Sequence, residues 1–143
     1  MRIPLGRPRA VAQVAGNRNA PCLSGTVKFY PMGKATLVIA DIYGLPERAT
    51  DIFALHIHNG MNCQSSGSHY NPGNQPHPMH AGDLPPLLSC DGRAYLAVLT
   101  GRFSICEIIG KTVVIHADPD DFTTQPSGNP GDKIACGMIC QAN

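Results

Sequence analysis

The sequence predicts an all-β fold, a sandwich or flattened barrel of short antiparallel strands that carries two long loops. Three observations point there. Glycine (15) and proline (13) make up about a fifth of the 143 residues, against ~12% in an average protein. The apolar runs are short, rich in β-branched residues and separated by Gly, Pro, Asn and Asp turns. Residues 59–92 and Ala117–Lys133 show almost no periodicity, and structureless stretches beyond ~15 residues inside a compact domain are usually functional or disordered.

The elements follow in order. Residues 1–9 read as an N-terminal arm on a single domain spanning 1–143. Val11–Ala15 is a weak strand, and Asn17–Pro21 a turn. Ser24–Tyr30 alternates and is rich in β-branched and aromatic residues, so it reads as a strand. Pro31–Lys34 turns, and Ala35–Tyr43 is a stronger strand. Asp51–His58 is another, with Ile52, Ala54, His56 and His58 on one face and Phe53, Leu55 and Ile57 on the other. Arg93–Thr100 and Phe103–Ile109 are short strand-like runs after the first long loop. Lys111–His116 is a strand, and Ile134–Ile139 closes the chain as another.

Composition excludes several functions. Charged residues are 15% and the formal net charge is +1, which gives no footing for nucleic acid or an anionic membrane. No stretch approaches the ~20 apolar residues of a membrane span. Arg2, Arg7 and Arg9 are followed by no apolar core of a signal peptide, so the expected compartment is cytoplasmic, with an extracytoplasmic one as the alternative.

The six histidines are His56, His58, His69, His77, His80 and His116. His56 and His58 lie two apart on a strand, so their imidazoles share a face and can share a metal. His69, His77, His80 and Asp83 lie within one loop segment and form a full tetrahedral set for Zn²⁺. That loop has little apolar content, and a bound metal would contribute its folding energy. His116 ends a strand, and Asp118, Asp120 and Asp121 follow it as candidate acceptors that orient a ligand imidazole. His56, His58 and His116 suit copper, which favours imidazole nitrogen. One imidazole has two nitrogens and can link both metals.

From about Ala10 to Ile139 the chain resembles the copper,zinc superoxide dismutases. The matching segments are Phe53–Gly60 (FALHIHNG), Cys63 with Gly67–Pro72 (GSHYNP), His80–Leu84 (HAGDL), Ile109–Asp121 (IGKTVVIHADPDD) and Gly131–Ile139 (GDKIACGMI). The short loops and the stretch Thr123–Asn129 look closest to bacterial members. The resemblance implies a Greek-key β-sandwich of about eight antiparallel strands. It also implies one copper on His56, His58, His69 and His116, and one zinc on His69, His77, His80 and Asp83, with His69 bridging. Asp120 takes the place of the aspartate that hydrogen-bonds one ligand of each metal. Cys63 and Cys136 match the intrachain disulfide. Lys133 stands where the family usually carries an arginine beside copper, and His69 supplies a proton in the cycle. The substrate implied is superoxide, converted to O₂ and hydrogen peroxide. The assembly is either a homodimer or a monomer, because the subloop between His58 and Cys63 is trimmed. The turn between His77 and His80 is also shorter than in many members.

Some features lie outside the resemblance. Cys22, Cys90, Cys106 and Cys140 read as buried small apolar residues, with Cys22–Cys106 or Cys90–Cys140 bridges as alternatives. The acidic balance of Ala117–Lys133 predicts weak electrostatic steering. An inactive, copper-handling relative is the alternative function. A zinc hydrolase is disfavoured because no HExxH motif or nearby free glutamate is present.

Overall fold

The computed structural model describes residues 6–143, so the first five residues of the expected N-terminal arm lie outside the described residues. Arg9 is tied into the sheet on both sides. Its N–H donates to Phe29 O, and its carbonyl accepts from Ala142 N–H.

The strands are β1 (Ala10–Gly16), β2 (Ser24–Met32), β3 (Ala35–Tyr43), β4 (Ile52–Phe53), β5 (Leu55–His58), β6 (Leu87–Leu88), β7 (Ala94–Thr100), β8 (Thr112–His116) and β9 (Lys133–Gln141). Seven form one antiparallel sheet in the order β5-β8-β9-β1-β2-β3-β7, and β4 pairs with β6. The non-sequential order makes the chain cross from β7 at one edge to β8 near the other, a Greek-key type of connection. The sheet curls so that strands near its two edges share one core. Val38 and Ile42 of β3 and Leu55 and Ile57 of β5 belong to the same buried cluster as Phe29, Leu87 and Ile139.

Three expectations need correction. Asp51–His58 is interrupted at Ala54, whose N–H donates to Asp118 O and whose carbonyl accepts from His116 N–H. This splits the run into β4 and β5. Phe103–Ile109 is not a strand: Ile105–Ile108 form a single helical turn, α1. Ser104 and Glu107 make a reciprocal capping box, with Ser104 N–H donating to Glu107 Oε2 at 2.7 Å. The Ser-x-x-Glu spacing is a local helix-start signal that outweighs the apolar run. The free cysteines Cys22, Cys90, Cys106 and Cys140 are all exposed and unbridged, so neither burial nor either proposed bridge describes them.

Candidate metal centre

β5 and β8 build the floor. His56 lies opposite Val114 and His58 opposite Thr112. Paired residues share a face, so His116, two beyond Val114, projects on the same side as the two β5 imidazoles. The other face of both strands, Leu55, Ile57, Val113 and Ile115, enters the core. A bulge between Ile115 and His116 places Lys133 opposite His116. Strict alternation from the core residue Ala135 would turn Lys133 inward; the extra residue re-aims it to the imidazole face.

The first long loop is strapped along the free edge of β5. Ile57 N–H donates to Gly82 O and Tyr70 N–H to Ile57 O, both at 2.8 Å. Bridges pair His58 with His69 and His56 with Asp83. The loop thus covers an open strand edge and lays its ligand-type side chains beside those of β5. Gly82 is required here, since a Cβ would collide with Ile57 O. The Cys63–Cys136 disulfide, Cα–Cα 5.7 Å, ties the start of this loop to β9.

Hydrogen-bond partners dictate the imidazole tautomers. His58 Nδ1 donates to Gly67 O at 2.7 Å and His116 Nδ1 to Gly131 O at 3.3 Å. Their Nε2 lone pairs then face each other at 3.2 Å. His56 Nε2 donates to Asp120 Oδ2 at 2.9 Å and His77 Nε2 to Asp120 Oδ1 at 2.7 Å. Their Nδ1 atoms are left inward. Gly128 makes room for this Asp120 bridge, because a Cβ there would strike both Asp120 Oδ1 and His77 Nε2.

These inward atoms fit metal ions. His56 Nδ1, His69 Nε2 and His77 Nδ1 are buried with no hydrogen-bond partner among the described residues. His77 Nδ1 lies 3.0 Å from Asp83 Oδ2, close but without hydrogen-bond alignment, as two lone pairs aimed at one cation would be. His69 Nδ1 lies 3.1 Å from His80 Nδ1 and 2.8 Å from Asp83 Oδ1. His80 Nδ1 lies 3.3 Å from Asp83 Oδ2. A tetrahedral zinc with bonds of about 2.0 Å has ligand–ligand edges of about 3.3 Å, which these separations approach. The result is two groups that share His69: His56, His58, His69 and His116, and His69, His77, His80 and Asp83. In each, the ligand-type atoms lie within 4.8 Å of one another.

The family model for copper/zinc superoxide dismutase (SODC) matches residues 23–139. This chain belongs to that family. A copper-zinc superoxide dismutase of Arabidopsis thaliana is 34% identical over 165 residues, covering 97% of this chain and 94% of the plant protein. A copper-zinc superoxide dismutase of Deinococcus radiodurans is 30% identical, covering 97% and 88%. An extracellular copper-zinc superoxide dismutase of Rattus norvegicus is 32% identical over 86% of this chain, which spans 57% of the rat protein.

The electrostatics of this dismutase-family centre suit metal binding. Burial pushes the His56 imidazole down to about 3, His58 to about 2 and His116 to about 4. Burial also lowers His80. Burial works against ionising Asp83 and Asp120. Hydrogen bonding from His69 to Asp83, and from His77 and His56 to Asp120, nevertheless holds both carboxyls below their ordinary value. Neutral imidazoles and ionised carboxylates are the forms that ligate.

A stability prediction follows for the metal-free chain. Unfolded histidine titrates near 6.5, so between that pH and the depressed folded values the unfolded state binds more protons. Stability present above pH ~6.5 is therefore lost as pH falls. Each of the three deeply depressed imidazoles contributes a slope of about 1.4 kcal/mol per pH unit. The Tm of the metal-free chain should drop steeply from pH 6.5 to 4.5; a flat profile would contradict the buried, neutral assignment.

Sequence reasoning missed several residues that shape the centre. Gly67 O serves both His58 Nδ1 and Lys133 Nζ, and Ser66 Oγ accepts from Lys133 Nζ at 2.8 Å. Gln125 and Arg102 grip the backbone around His77 and His80. Gly67 stands inside a quoted motif, but Ser66, Gln125 and Arg102 carry no local signal.

Proposed function

We infer that this chain is a superoxide dismutase that turns two superoxide ions and two protons into O₂ and hydrogen peroxide. The observation that supports it best is the pair of ligand groups sharing one ring. In this reading copper would be held by His56 Nδ1, His58 Nε2, His69 Nε2 and His116 Nε2. Zinc would be held by His69 Nδ1, His77 Nδ1, His80 Nδ1 and Asp83. Bound copper would supply the one-electron change of each half-reaction, while zinc, which has no redox chemistry, would contribute charge and loop stability.

The chain's own residues then have defined work. An open cleft of about 810 Å³ reaches His58, His69, His116, Asn59 and Lys133. The Lys133 ammonium donates to Ser66 Oγ at 2.8 Å and Gly67 O at 3.0 Å. An ammonium has three N–H groups, so one remains for an anion in the cleft. His69 Nε2, unpaired and buried, is the atom at which the chain can hold a proton for the peroxide. Asp120 fixes His56 and His77 together and so couples the two ligand groups.

Removing the charge in Lys133→Gln should lower kcat/KM about tenfold, within the range that charge focusing controls. Asp118 is paired with Arg48 at 2.7 Å, which leaves Asp121 and Asp132 as exposed carboxylates on the loop that leads to Lys133. The rate should therefore depend only weakly on ionic strength. Dismutation measured across a salt series checks this, and a steep decline with salt would refute it.

The Cys63–Cys136 bridge is a feature of oxidising surroundings, which favours the extracytoplasmic of the two compartments left open by the sequence. The function is tested by loading the purified chain with copper and zinc and assaying dismutation before and after copper-selective chelation. Activity lost on chelation supports the enzyme; full copper occupancy without turnover would leave a copper-handling protein instead.

A further inference from the structure

We propose that Gln125 and Arg102 are positioning residues for zinc binding, which grip the backbone of His77–His80 from two sides and hold that turn in shape before the metal arrives. The inference rests on the zinc-ligand reading above.

Gln125 behaves as a piece of backbone. Its Oε1 accepts His77 N–H at 2.9 Å and its Nε2 donates to His77 O at 2.7 Å. Arg102 takes the next carbonyls. Its Nη1 donates to Pro78 O at 2.7 Å and His80 O at 3.2 Å, and its Nη2 lies 3.7 Å from Met79 Sδ. Gln125 comes from the Ala117–Lys133 loop and Arg102 from the connection between β7 and α1, so the two approach from unrelated parts of the fold.

The turn has few other means of support. Met79 is exposed and Pro78 only half-buried, so apolar packing contributes little. Pro78 has no N–H to donate. With two residues between His77 and His80, the segment is too short for helical hydrogen bonding of its own. Its other backbone bonds are Met79 N–H to Pro76 O, Asp83 N–H to His80 O, and His80 N–H to Asp83 Oδ2 at 3.0 Å. Without Gln125 and Arg102, the carbonyls of His77 and Pro78 lose their protein donors. The His77 ring would keep its bond to Asp120 and the His80 N–H its bond to Asp83, but the Pro78–Met79 backbone between them would be loosened, and zinc binding would have to order it. A turn already ordered spares that entropy and binds more tightly.

The experiment measures zinc affinity of the metal-free full chain by competition with a chromophoric chelator, with Co²⁺ absorption as a probe of site geometry. The proposal expects Gln125→Ala and Arg102→Ala each to weaken zinc binding by about 10- to 100-fold, the range commanded by outer hydrogen-bond partners of metal ligands. It expects altered Co²⁺ bands, unchanged copper affinity, and partial recovery in Arg102→Lys. Unchanged zinc affinity in both alanine variants overturns it. So does an equal loss of copper and zinc affinity, which marks a general loosening. Should either variant fold poorly, hydrogen exchange on the wild-type metal-free chain decides: a protected His77 amide, whose N–H Gln125 Oε1 accepts, supports the clamp, and rapid exchange there overturns it. Failure of the underlying reading is distinguishable. His80→Ala should abolish zinc uptake while the clamp residues are intact; a wild-type chain that takes up no zinc defeats both the ligand reading and the clamp.

Discussion

His58→Ala is expected to reduce dismutation by more than about 100-fold while leaving zinc uptake near one per chain. The magnitude follows from the site's construction. Loss of an outer partner alone costs a metal site about 10- to 100-fold, and His58 stands closer than an outer partner. Gly67 O holds its Nδ1 proton, so its Nε2 lone pair is presented to His116 Nε2 at 3.2 Å. Two lone pairs at that separation repel unless a cation lies between them, and removing one leaves the remaining ring without a counterpart. Zinc should survive because His58 belongs to only one of the two groups. Copper and zinc content by elemental analysis, read beside the superoxide assay, checks both halves. Wild-type copper content with full activity would remove His58 from the proposed ligand set.

Deleting the disulfide in a Cys63→Ala, Cys136→Ala double variant is expected to lower the Tm by roughly 10 °C or more. The bridge closes a loop with a sequence separation of 73. The chain-entropy relation then gives about 4 kcal/mol of stabilisation, and a chain of this length shifts by a few degrees per kcal/mol. Activity should fall as well. Cys63 begins the short 3-10 turn Cys63–Ser65, and Ser66 and Gly67 follow directly. Those two residues supply both acceptors of the Lys133 ammonium, and Gly67 O also orients His58. Releasing the bridge therefore loosens the substrate cation and a copper-side imidazole together. Calorimetry and a steady-state assay of the double variant measure the two effects; a Tm within 2–3 °C of wild type would show that other contacts hold the loop closed.

Much of the centre was legible because its chemistry is written in residue types at short spacing. An alternating pair, His56 and His58, needs only the period of a strand to share a face. His69, His77, His80 and Asp83 are concentrated in a loop too polar to fold on its own apolar burial. The Ser104–Glu107 capping box was also in plain view, yet the apolar run Phe103–Ile109 masked it, because a run that short does not separate strand from helix by periodicity.

What the chain determined locally was therefore which side chains are present and which strand faces they can occupy. The tertiary structure decided which atoms point inward. The bulge at Ile115/His116 turns Lys133 to the imidazole face, and Asp120, Gly67 and Gly131 select the tautomers from 64, 9 and 15 residues away. Hydrogen-bond partners like these are chosen by three-dimensional proximity, which the periodicity of a local segment does not encode.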